Sequence, residues 1–337
     1  MIVLENRDAG ATFGPRSPIP YLAKALRSRG AFLPRYFGIA HRSLPNYLAL
    51  VSGQPPNPAT QADCPVFEPL RASRFLPNGV VVGEGCVYPP RVRTVGDQLQ
   101  RRGLRWRAYM QDLASSAAPG EPVGCRHPAI GARDPTQEAR PRDQYATRHD
   151  PFVYFRSLID FPRGCRRHVV DLRRLSADLR SEGSSPAFAL ISPDLCADGH
   201  DAVCADPGAP GGPAGVEAFL RRWVPRIERS AAYRDHGAIL ITFDESASGA
   251  GSCCREPRGP SVESNGGPIP GNGGGRVGAV VLSPCVAPGT VSRRPYNHYT
   301  TLRWIEDSFG LPYLGYAAPP GPPGFGADVF TRAGRLC

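Results

Sequence analysis

The chain has 337 residues, 41% of them hydrophobic, with 38 glycines, 38 prolines and a formal net charge of +10. Such a composition supplies a sizeable core and long turn-rich loops, and with no internal period it excludes a repeat protein. Of 40 basic residues only Lys24 is a lysine; a genomic bias toward arginine is the favoured reading over an attraction to anionic substrates or lipid surfaces, and the scattered arginines argue against a nucleic-acid-binding arm.

Apolar runs alternate with helical spacing along the chain. Ile2 to Leu4 reads as a short buried strand, and Pro20 to Arg29 as a helix with Leu22, Ala25 and Leu26 on one face. Ala31 to Ile39 is extended, and Leu44 to Ser52 is helical after a sharp turn. A Pro-rich stretch follows, then a helix over Val95 to Gly103 and a strand over Leu104 to Met110. Beyond a polar loop, Leu172 to Ser181 is helical and Ala187 to Ser192 a strand. Val216 to Ser230 is an amphipathic helix, Ala238 to Phe243 and Val277 to Leu282 are buried strands, and Tyr299 to Phe309 is a helix. This alternation predicts an α/β fold, one sheet covered by helices on both faces. One domain over 1–337 is expected, with loop insertions around 54–94, 111–144 and 246–275.

The ten cysteines, at 64, 86, 125, 165, 196, 204, 253, 254, 285 and 337, form no CxxC pair. An even number in loop-like contexts fits disulfides in an oxidising compartment rather than a zinc ribbon. The spacing suggests Cys64 with Cys86 and Cys196 with Cys204; adjacent cysteines seldom bond each other, so Cys253 and Cys254 are each expected to have another partner. The sequence shows no signal peptide or membrane span and opens inside an apolar run, so a leader removed or missing from the start is expected.

Polar clusters fall where a doubly covered sheet binds ligands, beyond the carboxyl ends of its strands. Glu5-Asn6 follows the first strand and Asp244-Glu245 follows the most apolar one. Taken alone, Glu5-Asn6 is more readily a turn. Asp244-Glu245 is harder to place that way, because adjacent carboxylates repel unless something positive lies between them. Together the two pairs offer oxygen ligands to one hard or borderline cation. In His41-Arg42-Ser43-Leu44-Pro45-Asn46-Tyr47, Ser43 stands at an extended-to-helix junction, where a hydroxyl caps the helix or meets an anion. A serine is a weak nucleophile until a base or metal activates it, so the nucleophile and metal readings depend on each other. His149, His200 and His298 lie in polar settings at element ends, whereas His127, His168 and His236 read as loop or surface residues.

Six segments in order, VLENRDAGATFG (3–14), YFGIAHRSLPNYLALVSGQ (36–54), YATRHDPFVYF (145–155), SPDLCADGHD (192–201), LITFDES (240–246) and YNHYTTLRWIEDSFGLPYLG (296–315), cover nearly the whole chain. Together they resemble the bacterial phosphoesterase family of acid phosphatases and phospholipases C within the alkaline-phosphatase superfamily, and most nearly its secreted phosphatidylinositol-3-phosphatase-like members. The resemblance implies a three-layer α/β/α sandwich. It implies one divalent cation held by Glu5, Asn6, Asp244 and Glu245, and Ser43 as a nucleophile that forms a phosphoseryl intermediate. His200 and His298 become candidates for protonating the leaving alcohol, with His41, Asn46, His149 and Asp198 binding substrate. Two departures stand out: Ala40 where many relatives have Thr, and Arg42 where many have Pro. Tyr47 replaces the arginine of the sulfatase turn, which weakens a sulfatase reading.

The function expected is metal-dependent hydrolysis of phosphate monoesters by a secreted enzyme. Its substrate would be a phosphorylated small molecule or phospholipid, with transient contact to a membrane surface, no nucleic acid and no obligate protein partner. The alternatives are a phospholipase C-type phosphodiesterase and a non-catalytic protein binding anionic lipid.

Overall fold

The computed structural model describes residues 1–115 and 123–331; Cys337 and residues 116–122 of the 111–144 loop lie outside them. Among the described residues there are twelve strands: β1 (Ile2–Leu4), β2 (Ala31–Leu33), β3 (Tyr36–Phe37), β4 (Arg71–Phe75), β5 (Val81–Glu84), β6 (Trp106–Met110), β7 (Val169–Asp171), β8 (Phe188–Ser192), β9 (Ile239–Phe243), β10 (Ala279–Leu282), β11 (Thr290–Val291) and β12 (Tyr296–Asn297). Eight of them build one sheet in the order β11-β2-β10-β9-β1-β8-β6-β7. The centre, from β9 to β7, is parallel. β10 runs antiparallel to both β9 and β2, so the sheet is mixed.

Side-chain alternation sorts the strands onto two faces. In β1, Val3 enters one core and Ile2 and Leu4 the other; in β6, Trp106, Ala108 and Met110 face the first and Tyr109 the second. The first core is closed by helices Ser43–Ser52, Val95–Arg101 and His298–Phe309, the second by Tyr21–Leu26 and Gly212–Glu228. This is the expected α/β/α layering.

Three features depart from the sequence reading. The Pro-rich stretch contains the β4–β5 hairpin, whose mostly exposed β4 carries no apolar alternation to reveal it. β7 and the short helix before it, Pro162–His168, lie where no element was expected. Cys253 and Cys254 are bonded to each other, contrary to expectation, while Cys64–Cys86 and Cys196–Cys204 pair as the spacing suggested and Cys125–Cys165 adds a longer closure.

Candidate active site

The site follows from strand register. Leu4 pairs with Phe243 across β1 and β9, so Glu5 and Asp244 leave neighbouring parallel strands side by side. On the other flank β8 leads into the segment carrying Asp198, whose carbonyl accepts from Glu5 N at 2.9 Å. Gly199 has φ of 106°, a left-handed conformation that costs glycine little; a Cβ there would lie 3.2 Å from the Glu5 carbonyl oxygen.

Ser43 begins the Ser43–Ser52 helix after an extended Arg42. Asn46 builds the turn that presents it: its Oδ1 accepts from Ile39 N (2.7 Å) and Ala40 N (3.1 Å), and its Nδ2 donates to Ala40 O (2.8 Å) and Arg42 O (2.9 Å). Asp63 closes the helix start by accepting from Leu44 N at 2.9 Å. The Ser43 hydroxyl donates to Glu5 Oε2 at 2.8 Å, and Tyr47, one turn on, donates to Glu5 Oε1 at 2.6 Å. Tyr47 also stacks on His149, with ring centroids 5.3 Å apart.

Glu5, His149 and Asp198 form a buried cluster whose ligand atoms lie within 4.8 Å of one another. His149 Nε2 is 3.5 Å from Glu5 Oε2, and its Nδ1 is 3.2 Å from Asp198 Oδ2. Neither contact has hydrogen-bonding geometry: both His149 nitrogens, Asp198 Oδ2 and Asp244 Oδ2 are buried without a partner. Burial, and then the charges of Asp244 and Asp198, push the Glu5 carboxyl well above its ordinary range. Burial, with Arg148 and His200 nearby, pushes His149 well down, toward the neutral imidazole that ligates metals. Carboxylates converging with an imidazole, with an unpartnered oxygen on Asp198 and on Asp244, are a donor set suited to a divalent cation. Glu5, His149 and Asp198 would hold it, with Asp244 beside them.

This set differs from the one expected. Glu5 and Asp244 lie side by side at the ends of β1 and β9, with Asn6 N donating to Asp244 Oδ1 at 3.0 Å. The Asn6 amide contributes only a long contact to Glu5 (3.4 Å), and Glu245 turns away to pair with His41 Nδ1. His41 Nε2 is in turn held by Gly249 O at 2.9 Å. His298 is fully buried outside the cavity; its Nε2 donates to Asp244 O at 2.6 Å and its Nδ1 meets the Tyr36 hydroxyl at 3.1 Å. Burial lowers its pKa to about 4. It braces the β9 terminus with both ring nitrogens engaged and does not line the cavity beside Ser43, which argues against its expected role as proton donor. Asn46 likewise has its amide committed to backbone rather than open to substrate.

Beside Ser43 lies a cavity of about 380 Å3 whose walls include Arg42, Asp63, Gln137, Arg148, His200 and Glu245. His200 faces it with Nδ1 donating to Asp201 Oδ1 (2.7 Å) and Nε2 accepting from Arg148 (3.3 Å). Arg148, Asp63 and Tyr47 escaped the sequence analysis as site residues. Arg148 left a signal, an arginine directly before a site histidine; Asp63 and Tyr47 left none beyond their place near Ser43.

Several known proteins are similar to this chain. The chain is 24% identical over 314 residues to the phosphate-repressible acid phosphatase of Penicillium chrysogenum, covering 93% of this chain and 59% of that one. It is 24% identical over 325 residues to the phosphatidylinositol-3-phosphatase of Mycobacterium tuberculosis, covering 95% and 80%. The chain spans 51% to 59% of the length of the fungal acid phosphatases it matches. Among solved structures it superposes on the phosphonate monoester hydrolase of Agrobacterium radiobacter with a TM-score of 0.49 at 12% identity, covering 99% of this chain and 77% of that one. A protein of the alkaline phosphatase superfamily from Vibrio parahaemolyticus gives 0.48 at 11%, covering 92% and 65%. The model of the Phosphoesterase family matches residues 12–312, and the chain belongs to that family.

Proposed function

We propose that the chain hydrolyses phosphate esters, preferring phosphomonoesters, with Ser43 as nucleophile. One observation carries this reading: the Ser43 hydroxyl lines a cavity that also holds Arg42 and Arg148 while donating to the Glu5 carboxylate, whose burial, followed by the charges of Asp244 and Asp198, raises its affinity for a proton. Glu5 takes the serine proton as the oxygen attacks phosphorus and forms the phosphoseryl link. Arg148 and Arg42 draw the phosphoryl oxygens into the cavity. An ester that pulls Arg148 toward itself frees His200 Nε2 to take a proton from water, and Asp201 on Nδ1 keeps that ring oriented to pass the proton from Nε2 to the departing alcohol. A divalent cation bound by Glu5, His149 and Asp198 would neutralise charge on the phosphoryl group and lower the hydroxyl pKa. Water attacking the phosphoseryl link returns the serine. The acid phosphatases and the phosphatidylinositol-3-phosphatase among its relatives support phosphorylated metabolites or lipids as substrates, and the disulfides support an exported protein.

Ser43→Ala tests the assignment. Hydrolysis of p-nitrophenyl phosphate should fall on the order of a thousandfold or more, with metal content and thermal melting kept. Unchanged turnover removes Ser43 as the nucleophile.

A further inference from the structure

The cavity beside Ser43 is walled by acids as well as bases. Asp63 and Glu245 face it along with Arg42, Arg148 and His200. Glu245 is occupied by His41. Asp63, only 6% exposed, has Arg148 Nε at 3.9 Å, while that guanidinium donates to Gln137 O (3.0 Å), Thr136 O (3.3 Å) and His200. Asp63 Oδ1 accepts from Leu44 N, a backbone donor at the start of a ten-residue helix that would otherwise be open to an anion. A carboxylate therefore competes with phosphate oxygens for two of their natural partners, the helix N-terminus and Arg148.

We propose, resting on the reading of this cavity as the ester site, that Asp63 is a specificity-determining residue that admits singly charged phosphate groups and discriminates against doubly charged ones. A phosphomonoester loses its second proton near about pH 6, whereas a phosphodiester carries one charge throughout. Each added negative charge within a few ångströms of Asp63 raises the electrostatic cost of binding. The cavity thus takes monoesters as their monoanions, below that second ionisation, and disfavours them above it, where the dianion meets the Asp63 charge, whereas the single charge of a diester does not change with pH. The charged and titratable groups facing Asp63 are Arg148, Arg42, His200, Glu245 and the Tyr154 phenol. Asp63 acts on the choice of substrate through charge, separately from Ser43 and the metal cluster.

Asp63→Asn removes the charge and little else. Residue 63 has φ of 57°, a left-handed conformation that asparagine tolerates well, and the amide oxygen can still accept from Leu44 N. For the wild type, kcat/KM on p-nitrophenyl phosphate relative to bis-p-nitrophenyl phosphate should fall about tenfold between about pH 5 and about pH 8; in the variant that fall should vanish. Calorimetry with inorganic phosphate over the same range makes the comparison without turnover, and the variant should gain about tenfold in affinity at the alkaline end. A wild type that binds phosphate with this Asp63-dependent profile but cleaves neither ester overturns the hydrolase reading and leaves the charge filter standing. Identical pH profiles in both proteins, equal losses on both esters, or phosphate binding to neither protein overturn the filter. Thermal melting checks that the variant folds, and Asp63→Gly, which also suits the left-handed backbone, repeats the test without a side-chain amide.

Discussion

The carboxyl edge of the sheet carries acidic side chains with two different fates. At the ends of β6 and β7, Asp171 receives Arg173 Nε at 2.8 Å and the backbone N–H groups of Arg173 and Ala114, and Asp112 receives Gln144 N at 2.6 Å. Nearby, Asp143 is gripped by both arms of Arg126 at 2.7 Å; burial pushes its carboxyl up, but the Arg126 hydrogen bonds and charge outweigh that and hold it below the ordinary range. At the ends of β1, β8 and β9, Glu5, Asp198 and Asp244 are fully buried, and Glu5 and Asp198 share His149, whose ring nitrogens have no hydrogen bond of their own. The residue types are alike; only the partners differ. Where a carboxylate has an arginine and backbone donors, the edge is structure. Where several converge with no arginine and with Asp198 Oδ2 and Asp244 Oδ2 unpartnered, the edge has room for an ion or a reacting proton.

The contrast breaks most visibly if His149→Ala keeps its metal. Elemental analysis of that variant should show the bound divalent ion lost or its affinity down by at least about tenfold, with hydrolysis falling in step. A variant that retains full metal content would reduce the cluster to a structural knot.

Glu306 sharpens the distinction between one orphan carboxyl and a cluster. It is fully buried, accepts from Leu314 N at 2.9 Å through one oxygen and leaves the other unpartnered. Burial pushes its pKa to about 9, so a lone buried carboxyl is satisfied by a proton. The folded state therefore holds that proton more tightly than the unfolded chain, whose glutamate titrates at an ordinary carboxylate pKa. The stability this contributes is present below the unfolded pKa and is lost as pH rises toward about 9. Melting temperatures should show the wild type losing ground to Glu306→Gln over that window and matching it in acid. A difference that grows toward acid would reverse the assignment.

The smallest effect belongs to the paired edge. Arg173→Gln should cost less than about 1 kcal/mol, because the Arg173 side chain is 78% exposed, and it should change neither metal content nor turnover. A large loss of activity there would erase the difference between the two regions.

The site was only partly visible along the chain, for a geometric reason. Successive residues leaving a strand point to opposite sides. Glu5 and Asp244 turn into the cluster, so Glu245 turns out to His41 and the Asn6 amide stays at its margin. Two adjacent ligand pairs, as the sequence suggested, become one residue from each strand. The two further members, His149 and Asp198, come from segments distant in sequence and are brought in by the Tyr47 stack and by the backbone bond between Glu5 N and Asp198 O. His298 looked like a site histidine because a helix start beside Tyr and Asn is polar in sequence; in space it underlies β9, shielded by the strand end it supports.

By itself the sequence determined the layered α/β architecture and the helix that follows the turn at Ser43, since apolar periodicity and turn chemistry are local properties. The antiparallel entry of β10, the β4–β5 hairpin and the bond between Cys253 and Cys254 were decided in three dimensions. So was the choice of which polar side chains face one another, because burial and partnership depend on neighbours that only the folded chain assembles.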